Sequence, residues 1–138
     1  MIGAWSEYSS IFLLVFPALV LVAFAVPFLF APLAWGRIIG FEPPGQTDLA
    51  VYFGRSLGAV ALGICLMCYL ASREAAVQPV VFDGLILISA VLVVTHIYGA
   101  VRKIQPLIET LEIGFWIGLL LLQLALYPVG QGPGLLAG

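Results

Sequence analysis

Ionisable side chains inside long apolar runs are the residues of this sequence with the greatest capacity for chemistry. If the runs are antiparallel helices, five polar side chains belong to one side of the bundle: Arg55, His96, Tyr98, Glu109 and Glu112. At a rise of about 1.5 Å per helical residue, Arg55 lies about 9 Å inside its run, and His96 and Glu112 lie about 7 to 8 Å inside theirs. The sequence therefore predicts that these side chains meet at one level, which we call the polar level.

Two interpretations of the polar level are open. In the first, Arg55 pairs with Glu109 or Glu112, or extends toward lipid headgroups, because a charge that faces lipid is costly. His96 then donates a hydrogen bond to a neighbouring carbonyl. In the second, Arg55 binds an anionic or carbonyl group of a ligand, while His96 and Glu112 handle a proton. The second interpretation makes the polar level a candidate binding site.

The two cysteines, Cys65 and Cys68, have the CxxC spacing of thiol redox centres. Residues i and i+3 of a helix share one face, so the two sulfur atoms could meet. The alternative interpretation is that they act as small apolar residues, as buried free cysteines usually do. The tetrapeptide resembles the cysteine pair of the quinone-linked, disulfide-forming membrane proteins of the DsbB type. Those proteins need a second thiol pair, which this sequence lacks.

A single histidine gives no metal-binding spacing, and no HExxH, Walker or GxGxxG pattern occurs. We therefore predict no metal site and no bound cofactor. His96 alone could still supply one axial ligand to a haem or a chlorophyll. A quinone or a lipid is the other kind of ligand that the polar level would suit.

Two further features belong to the side of the bundle opposite the polar level. Asp83 lies one turn into the third apolar run, where the helix dipole favours a carboxylate. The C-terminal segment GQGPGLLAG is of a kind that is mobile unless something holds it, and a partner protein could do so.

Four apolar runs must position these side chains. Of the 138 residues, 63% are hydrophobic and 9% are charged, which is too apolar for a single soluble core of this size. Each run is long enough to cross about 30 Å of hydrocarbon. The runs occupy residues 11–34, 49–71, 80–101 and 107–127. Short connections make neighbours antiparallel, so the sequence predicts a single-domain, all-α integral membrane protein with an up-down four-helix bundle. Three prolines predict that the first helix is kinked or ends early.

Small residues recur at four-residue spacing in two of the runs. In the second run Ala50, Gly54 and Gly58 recur every four residues, with Ala59 and Gly63 beside them, and the fourth run contains Gly114 and Gly118. Such spacing allows helix backbones to approach closely within a membrane. The contact could lie within the bundle or with another subunit, and the sequence does not separate the two.

The charges limit the partners and suggest an orientation. A net charge of −2 with five basic residues provides no basic surface for nucleic acid. Arg37, Arg102 and Lys103 fall on one side of the bundle, whereas Arg73 falls on the other. The positive-inside rule therefore predicts that both termini are extracytoplasmic.

The layout resembles the small four-helix bacterial membrane proteins grouped as DoxX-like, in which a glycine-flanked arginine, as in GRSLGAVALG, opens a helix. The similarity covers the four-helix arrangement and this one segment. It implies an accessory role in a bacterial inner membrane rather than a particular reaction.

We predict an accessory or structural subunit of a membrane complex or homo-oligomer, in contact with lipids and with other membrane subunits or itself. The glycine spacing, the short connections and the lack of a catalytic constellation favour this prediction over an enzyme. The alternative is a binder or transporter of a small lipophilic molecule, a quinone or a lipid, at the polar level. Further alternatives are a thiol-redox membrane enzyme and a subunit that ligates haem or chlorophyll.

Overall fold

A computed structural model describes residues 2–136, and within these residues the chain is helical with no β-strand. The α-helices are α1 (Ser9–Val20), α2 (Val26–Phe30), α3 (Pro32–Ile38), α4 (Asp48–Ala71), α5 (Gln78–Arg102) and α6 (Leu107–Ala125). Four helical stretches are long and apolar enough to cross a membrane: Ser6–Phe30, Asp48–Ala71, Ala75–Arg102 and Leu107–Ala125. The predicted all-α class is confirmed.

Prolines interrupt the first stretch. Pro17 lies inside α1, and a π-helical turn at Leu21–Ala25 follows it before α2 begins. A proline ring disfavours helical backbone at the preceding residue, and Ala31, which precedes Pro32, has left the helix with φ −141° and ψ 53°. The chain therefore ends its first long stretch before Pro32, earlier than the predicted boundary, and continues as the short helix α3.

The first hairpin packs α1, α2 and α3 against α4. Gly54 and Gly58 lie on the buried face of α4, where the opposing chain comes very close. A Cβ atom at Gly58 would lie 2.6 Å from the backbone nitrogen of Leu29, and one at Gly54 would lie 2.5 Å from Cβ of Pro32. These two glycines therefore permit the backbone contact that holds this hairpin together.

The second hairpin consists of α5 and α6, which pack against each other along their lengths. The turn between them begins at Lys103, whose backbone is left-handed with φ 53° and ψ 39°. The N–H of Ile104 donates to the carbonyl of Gly99, and the N–H of Lys103 donates to that of Ala100, both at 3.1 Å. This is a Schellman cap, in which a lysine takes the position that usually holds glycine.

The two hairpins meet in a common core at one end of the bundle, which we call the Tyr127 end. The core residues are Leu13, Cys68, Ala71, Phe82, Leu85, Leu126 and Tyr127. They come from the start of the first stretch, the end of the second, the start of the third and the region just beyond the fourth. These four helix ends therefore lie together.

The N-terminal segment closes the Tyr127 end. The last carbonyl groups of any α-helix lack partners within the helix. Here the N–H of Gly3 donates to the Leu124 carbonyl at 2.9 Å, and the N–H of Trp5 donates to the Ala125 carbonyl at 2.8 Å. The segment before α1 thus caps α6 and fixes the first and last helices to each other.

Candidate functional site

Three of the five side chains of the predicted polar level lie together at the opposite end of the bundle, the His96 end. Nε2 of His96 on α5 lies 3.0 Å from Oε2 of Glu109 and 3.6 Å from Oε2 of Glu112. Glu109 and Glu112 are three residues apart on α6, so both can face the same histidine. We call these three residues the His96 cluster.

The hydrogen bond on the other side of the imidazole fixes its tautomer. Nδ1 of His96 lies 2.7 Å from the backbone carbonyl oxygen of Leu92, one turn earlier on α5. A carbonyl oxygen can only accept, so Nδ1 must carry a proton and donate it. Nε2 is then the nitrogen that faces the two glutamates. In a neutral ring with its proton on Nδ1, Nε2 is an acceptor, so this arrangement places acceptors against each other unless a proton or a metal ion lies between them.

Gln105 supports the cluster from the turn between α5 and α6. Its Nε2 donates to the backbone carbonyl of His96 at 3.1 Å and to the hydroxyl of Thr110 at 3.2 Å. The Gln105 side chain fills the space that a Cβ atom at Gly99 would need. One side chain therefore links the histidine backbone to the helix that carries both glutamates.

The cluster is buried on one side and open on the other. His96 is buried, whereas the side chain of Glu112 is 37% exposed. The ring of Trp116, one turn beyond Glu112, lies 6.0 Å from the His96 ring between centroids. The buried indole N–H of Trp116 has no acceptor among residues 2–136. The cluster thus combines an excess of acceptors with a nearby donor that lacks one.

Arg55 and Tyr98 lie elsewhere. Arg55 is exposed in a shallow groove lined by residues of α4 and forms no ion pair with an acidic side chain in the described part of the chain. The predicted pairing of Arg55 with Glu109 or Glu112 is therefore not found. Tyr98 is exposed on α5, with the Arg102 guanidinium 6.0 Å from its ring centroid.

Both cysteines are buried free thiols. Cys68 belongs to the core of the Tyr127 end, and Sγ of Cys65 donates to the carbonyl of Pro17 at 3.4 Å. Thiol exchange requires an accessible thiolate, so this setting supports the apolar packing interpretation rather than the redox one.

A second polar network lies at the Tyr127 end, and the sequence did not predict it. Oδ1 of Asp83 accepts from the Tyr127 hydroxyl at 3.0 Å, and Oδ2 accepts from the N–H of Leu135 at 2.7 Å. The Tyr127 oxygen in turn accepts from the N–H of Leu136 at 3.2 Å. We call these four residues the Asp83 network. The chain itself therefore holds its C-terminal segment through residue 136.

The surroundings of Tyr127 in this network change the pKa of its phenol. Tyr127 follows the end of α6, and burial raises the pKa of its phenol above the ordinary value. The hydrogen bond from Leu136 lowers that pKa, whereas the bond to Asp83 raises it. Asp83 and Leu135 are 52 positions apart, so no local sequence pattern could have indicated the network.

No protein-family model, curated protein or solved structure matches this chain. The resemblance to DoxX-like proteins therefore stays a prediction from the sequence.

Proposed function

We propose that the chain is an integral membrane protein that serves as a packing subunit of a membrane assembly, formed with its own copies or with other membrane subunits. The observation that carries the proposal is the outer face of α6. Gly114 and Gly118 are exposed there, and a Cβ atom at either would meet nothing within 4 Å among the described residues. Gly63 of α4 is open in the same way.

The surface of the molecule supports insertion into lipid. Long aliphatic and aromatic side chains are exposed along all four long stretches, including Val22, Leu66, Leu87 and Leu111. A soluble monomer rarely exposes continuous apolar surface on this scale. We place the chain in a bacterial inner membrane with both termini on the extracytoplasmic side, in line with the positive charges near the His96 end.

The two glycine pairs differ in what covers them. Gly54 and Gly58 are covered by the first stretch of the same chain, which uses the space that they leave. Gly114 and Gly118 repeat the spacing without such a cover. Because helices in lipid associate through close backbone packing at small residues, a second transmembrane helix is the occupant that suits the α6 face.

The test uses the full-length protein, solubilised in a mild detergent and examined by native mass spectrometry. We expect the unaltered chain to appear in an assembly, either as a multiple of its own mass or with a partner subunit. Gly118→Leu should release the monomer, because a leucine there would fill the contact, while its Cβ atom meets nothing within 4 Å among the described residues.

Gly84→Leu is the matched control. Gly84 is also a helical glycine with open surroundings, but no glycine lies four residues away on either side. It should leave the assembly intact. A monomeric unaltered protein, or equal dissociation by both variants, would rule out the α6 face as the contact.

A second candidate function is the binding of an anionic lipid headgroup, favoured by the setting of Arg55. The groove around it is lined by Asp48, Val51, Tyr52, Ser56 and Ala59, and the guanidinium has no acidic partner among residues 2–136. An arginine near the end of a membrane span extends its charge toward the headgroup phosphates. The His96 cluster is not part of this groove. Of the residues of the polar level, only Arg55 therefore belongs to the proposed lipid site.

Lipids that remain bound after purification test this candidate. Arg55→Gln should reduce the anionic lipid that co-purifies with the chain. Arg73→Gln removes an arginine that instead lies over the ring of Tyr69 at 4.7 Å, and it should reduce the bound lipid less. Equal lipid content in both variants would contradict a specific role for Arg55.

A further inference from the structure

We propose that the His96 cluster holds a divalent transition-metal ion, a role that does not depend on the packing function above. The three side chains offer one imidazole nitrogen and two carboxylate oxygens, and these ligand atoms lie within 4.8 Å of one another. Imidazole and carboxylate are the ligands that Zn²⁺ and its neighbours in the first transition row accept together.

The distances between ligand atoms suit a shared ion. Two atoms that each lie about 2.1 Å from a metal ion are about 3.0 Å apart in octahedral and about 3.4 Å apart in tetrahedral coordination. Nε2 of His96 lies 3.0 Å from Oε2 of Glu109 and 3.6 Å from that of Glu112. Small side-chain rotations would therefore bring all three atoms to one ion.

The surroundings of the histidine prepare it as a ligand. Metal-bound histidines usually donate their second N–H to a carbonyl or a carboxylate, which fixes the ring and leaves the other nitrogen free to bind. The hydrogen bond from Nδ1 of His96 to the Leu92 carbonyl provides this orientation. Gln105 holds the His96 backbone and Thr110 together, so the two helices that carry the ligands are already linked.

The charges of the His96 cluster also favour a bound metal ion. Nε2 and two carboxylates form a site with three acceptors and up to two negative charges. A divalent cation would neutralise both charges and bond to all three atoms, whereas one proton on Nε2 can bond to only one oxygen well. A bound ion would also offset the cost of placing two carboxylates within an apolar helix pair, since unpaired charges there are costly.

The exposure of the cluster leaves room for a further ligand. Three protein ligands plus an open position are typical of sites whose metal also binds water or a substrate. Glu112 supplies the accessible edge, since its side chain is 37% exposed. The indole ring of Trp116, whose buried N–H has no acceptor in the described part of the chain, lies 6.0 Å from the His96 ring between centroids. Because α5 ends at Arg102, about 9 Å beyond His96, the cluster lies near the end of the span rather than at its middle.

The nitrogen ligand selects among metal ions. Mg²⁺ and Ca²⁺ prefer sites made of oxygen atoms alone. A histidine with two carboxylates instead suits Zn²⁺, Fe²⁺ or Mn²⁺. The same arrangement disfavours axial ligation of a haem or chlorophyll by His96, because Glu109 would have to leave Nε2 to admit so large a ring.

The test is a titration of untagged, full-length protein with Zn²⁺ in detergent, after removal of metals with a chelator. We expect one Zn²⁺ per chain by calorimetry. Glu112→Gln should weaken the affinity at least about tenfold, because it replaces a charged ligand at the accessible edge. Glu74→Gln, which removes an exposed carboxylate outside the cluster, should bind as the unaltered chain does.

A measurement on the unaltered chain keeps the test independent of how the variants fold. Co²⁺ added to the protein should acquire visible absorption bands stronger than those of aqueous Co²⁺, and Zn²⁺ should abolish them. Absence of saturable Zn²⁺ binding, an unchanged Co²⁺ spectrum, or equal binding by Glu112→Gln and Glu74→Gln would each overturn the proposal and leave the contact between His96 and Glu109 as a purely structural one.

Discussion

Asp83 and His96 both lie on α5, one near each end, and each is the centre of a polar group within an apolar helix pair. In the Asp83 network, the two carboxylate oxygens each accept one hydrogen bond, from the Tyr127 hydroxyl and the Leu135 N–H. In the His96 cluster, two carboxylates face one nitrogen. Donors and acceptors match in the first group, whereas acceptors are in excess in the second.

This difference separates a structural role from a binding role. A matched network is complete with the residues of the chain, so its value is the stability that it gives to the C-terminal segment. An unmatched group gains its missing positive charge from outside, as a proton or a metal ion. The matched group therefore belongs to the fold, and the unmatched one is the better candidate for binding.

The largest effect is expected from Asp83→Ala. The change leaves the Tyr127 hydroxyl and the N–H of Leu135 without their acceptor, and hydrogen bonds to charged groups each contribute about 1.5 to 3 kcal/mol. We expect the free energy of unfolding in mixed detergent micelles to fall by about 3 kcal/mol, with faster proteolysis of the C-terminal segment. Glu42→Ala, at an exposed carboxylate in the loop before α4, is the control. A loss below about 1 kcal/mol would show that the network is not structural.

Gln105→Ala should have an intermediate effect. It removes two hydrogen bonds between neutral groups, to the His96 carbonyl and the Thr110 hydroxyl, each contributing about 0.5 to 1.5 kcal/mol. We expect unfolding in micelles to require about 1 to 2 kcal/mol less. If Gln105 positions the cluster, Zn²⁺ affinity should also fall in this variant, and an unchanged affinity would limit Gln105 to stabilising the turn.

Lys103→Gly should stabilise the same turn. A residue with a Cβ atom in the left-handed region is strained by about 1 to 2 kcal/mol, and glycine is not. Glycine also loses more conformational entropy on folding, so we expect a net gain of about 1 kcal/mol or less. Lys103→Ala keeps the strain and should show no gain. An equal change in the free energy of unfolding for Lys103→Gly and Lys103→Ala would mean that relief of backbone strain at residue 103 does not cause the gain.

Glu112→Gln, measured with a chelator present, gives the smallest expected effect on stability. Oε2 of Glu112 lies 3.6 Å from Nε2 of His96, beyond a good hydrogen bond, and the side chain is partly exposed. We expect the free energy of unfolding to change by less than about 0.5 kcal/mol, unlike that of Asp83→Ala. If the free energy of unfolding fell by several kcal/mol, the His96 cluster would be structural in the same way as the Asp83 network.

Much of the fold could be predicted from the sequence because it depends on local patterns. Apolar runs of about 20 residues indicated the long helices, and the prolines indicated the interruption of the first one. The glycine spacing identified Gly54 and Gly58, which pack closely against the first stretch. The same spacing could not tell that Gly114 and Gly118 are uncovered, since a pattern in one helix carries no information on which face meets a neighbour.

The candidate site was only partly predictable for a related reason. His96, Glu109 and Glu112 belong to adjacent helices joined by a short turn, so equal depth was enough to bring them together. Arg55 shares that depth but belongs to the other hairpin and points to a separate surface. The Asp83 network depends on a C-terminal segment that folds back on the bundle, which no helical period describes.

The sequence by itself determined the height of each side chain along its helix, because the rise per residue is constant. It therefore determined which polar groups share an end of the bundle and how many apolar helices carry them. Only the tertiary structure decided how each helix is rotated about its axis, since that rotation depends on packing between side chains distant in sequence. That rotation separates Arg55 from the His96 cluster and leaves two carboxylates facing one imidazole nitrogen.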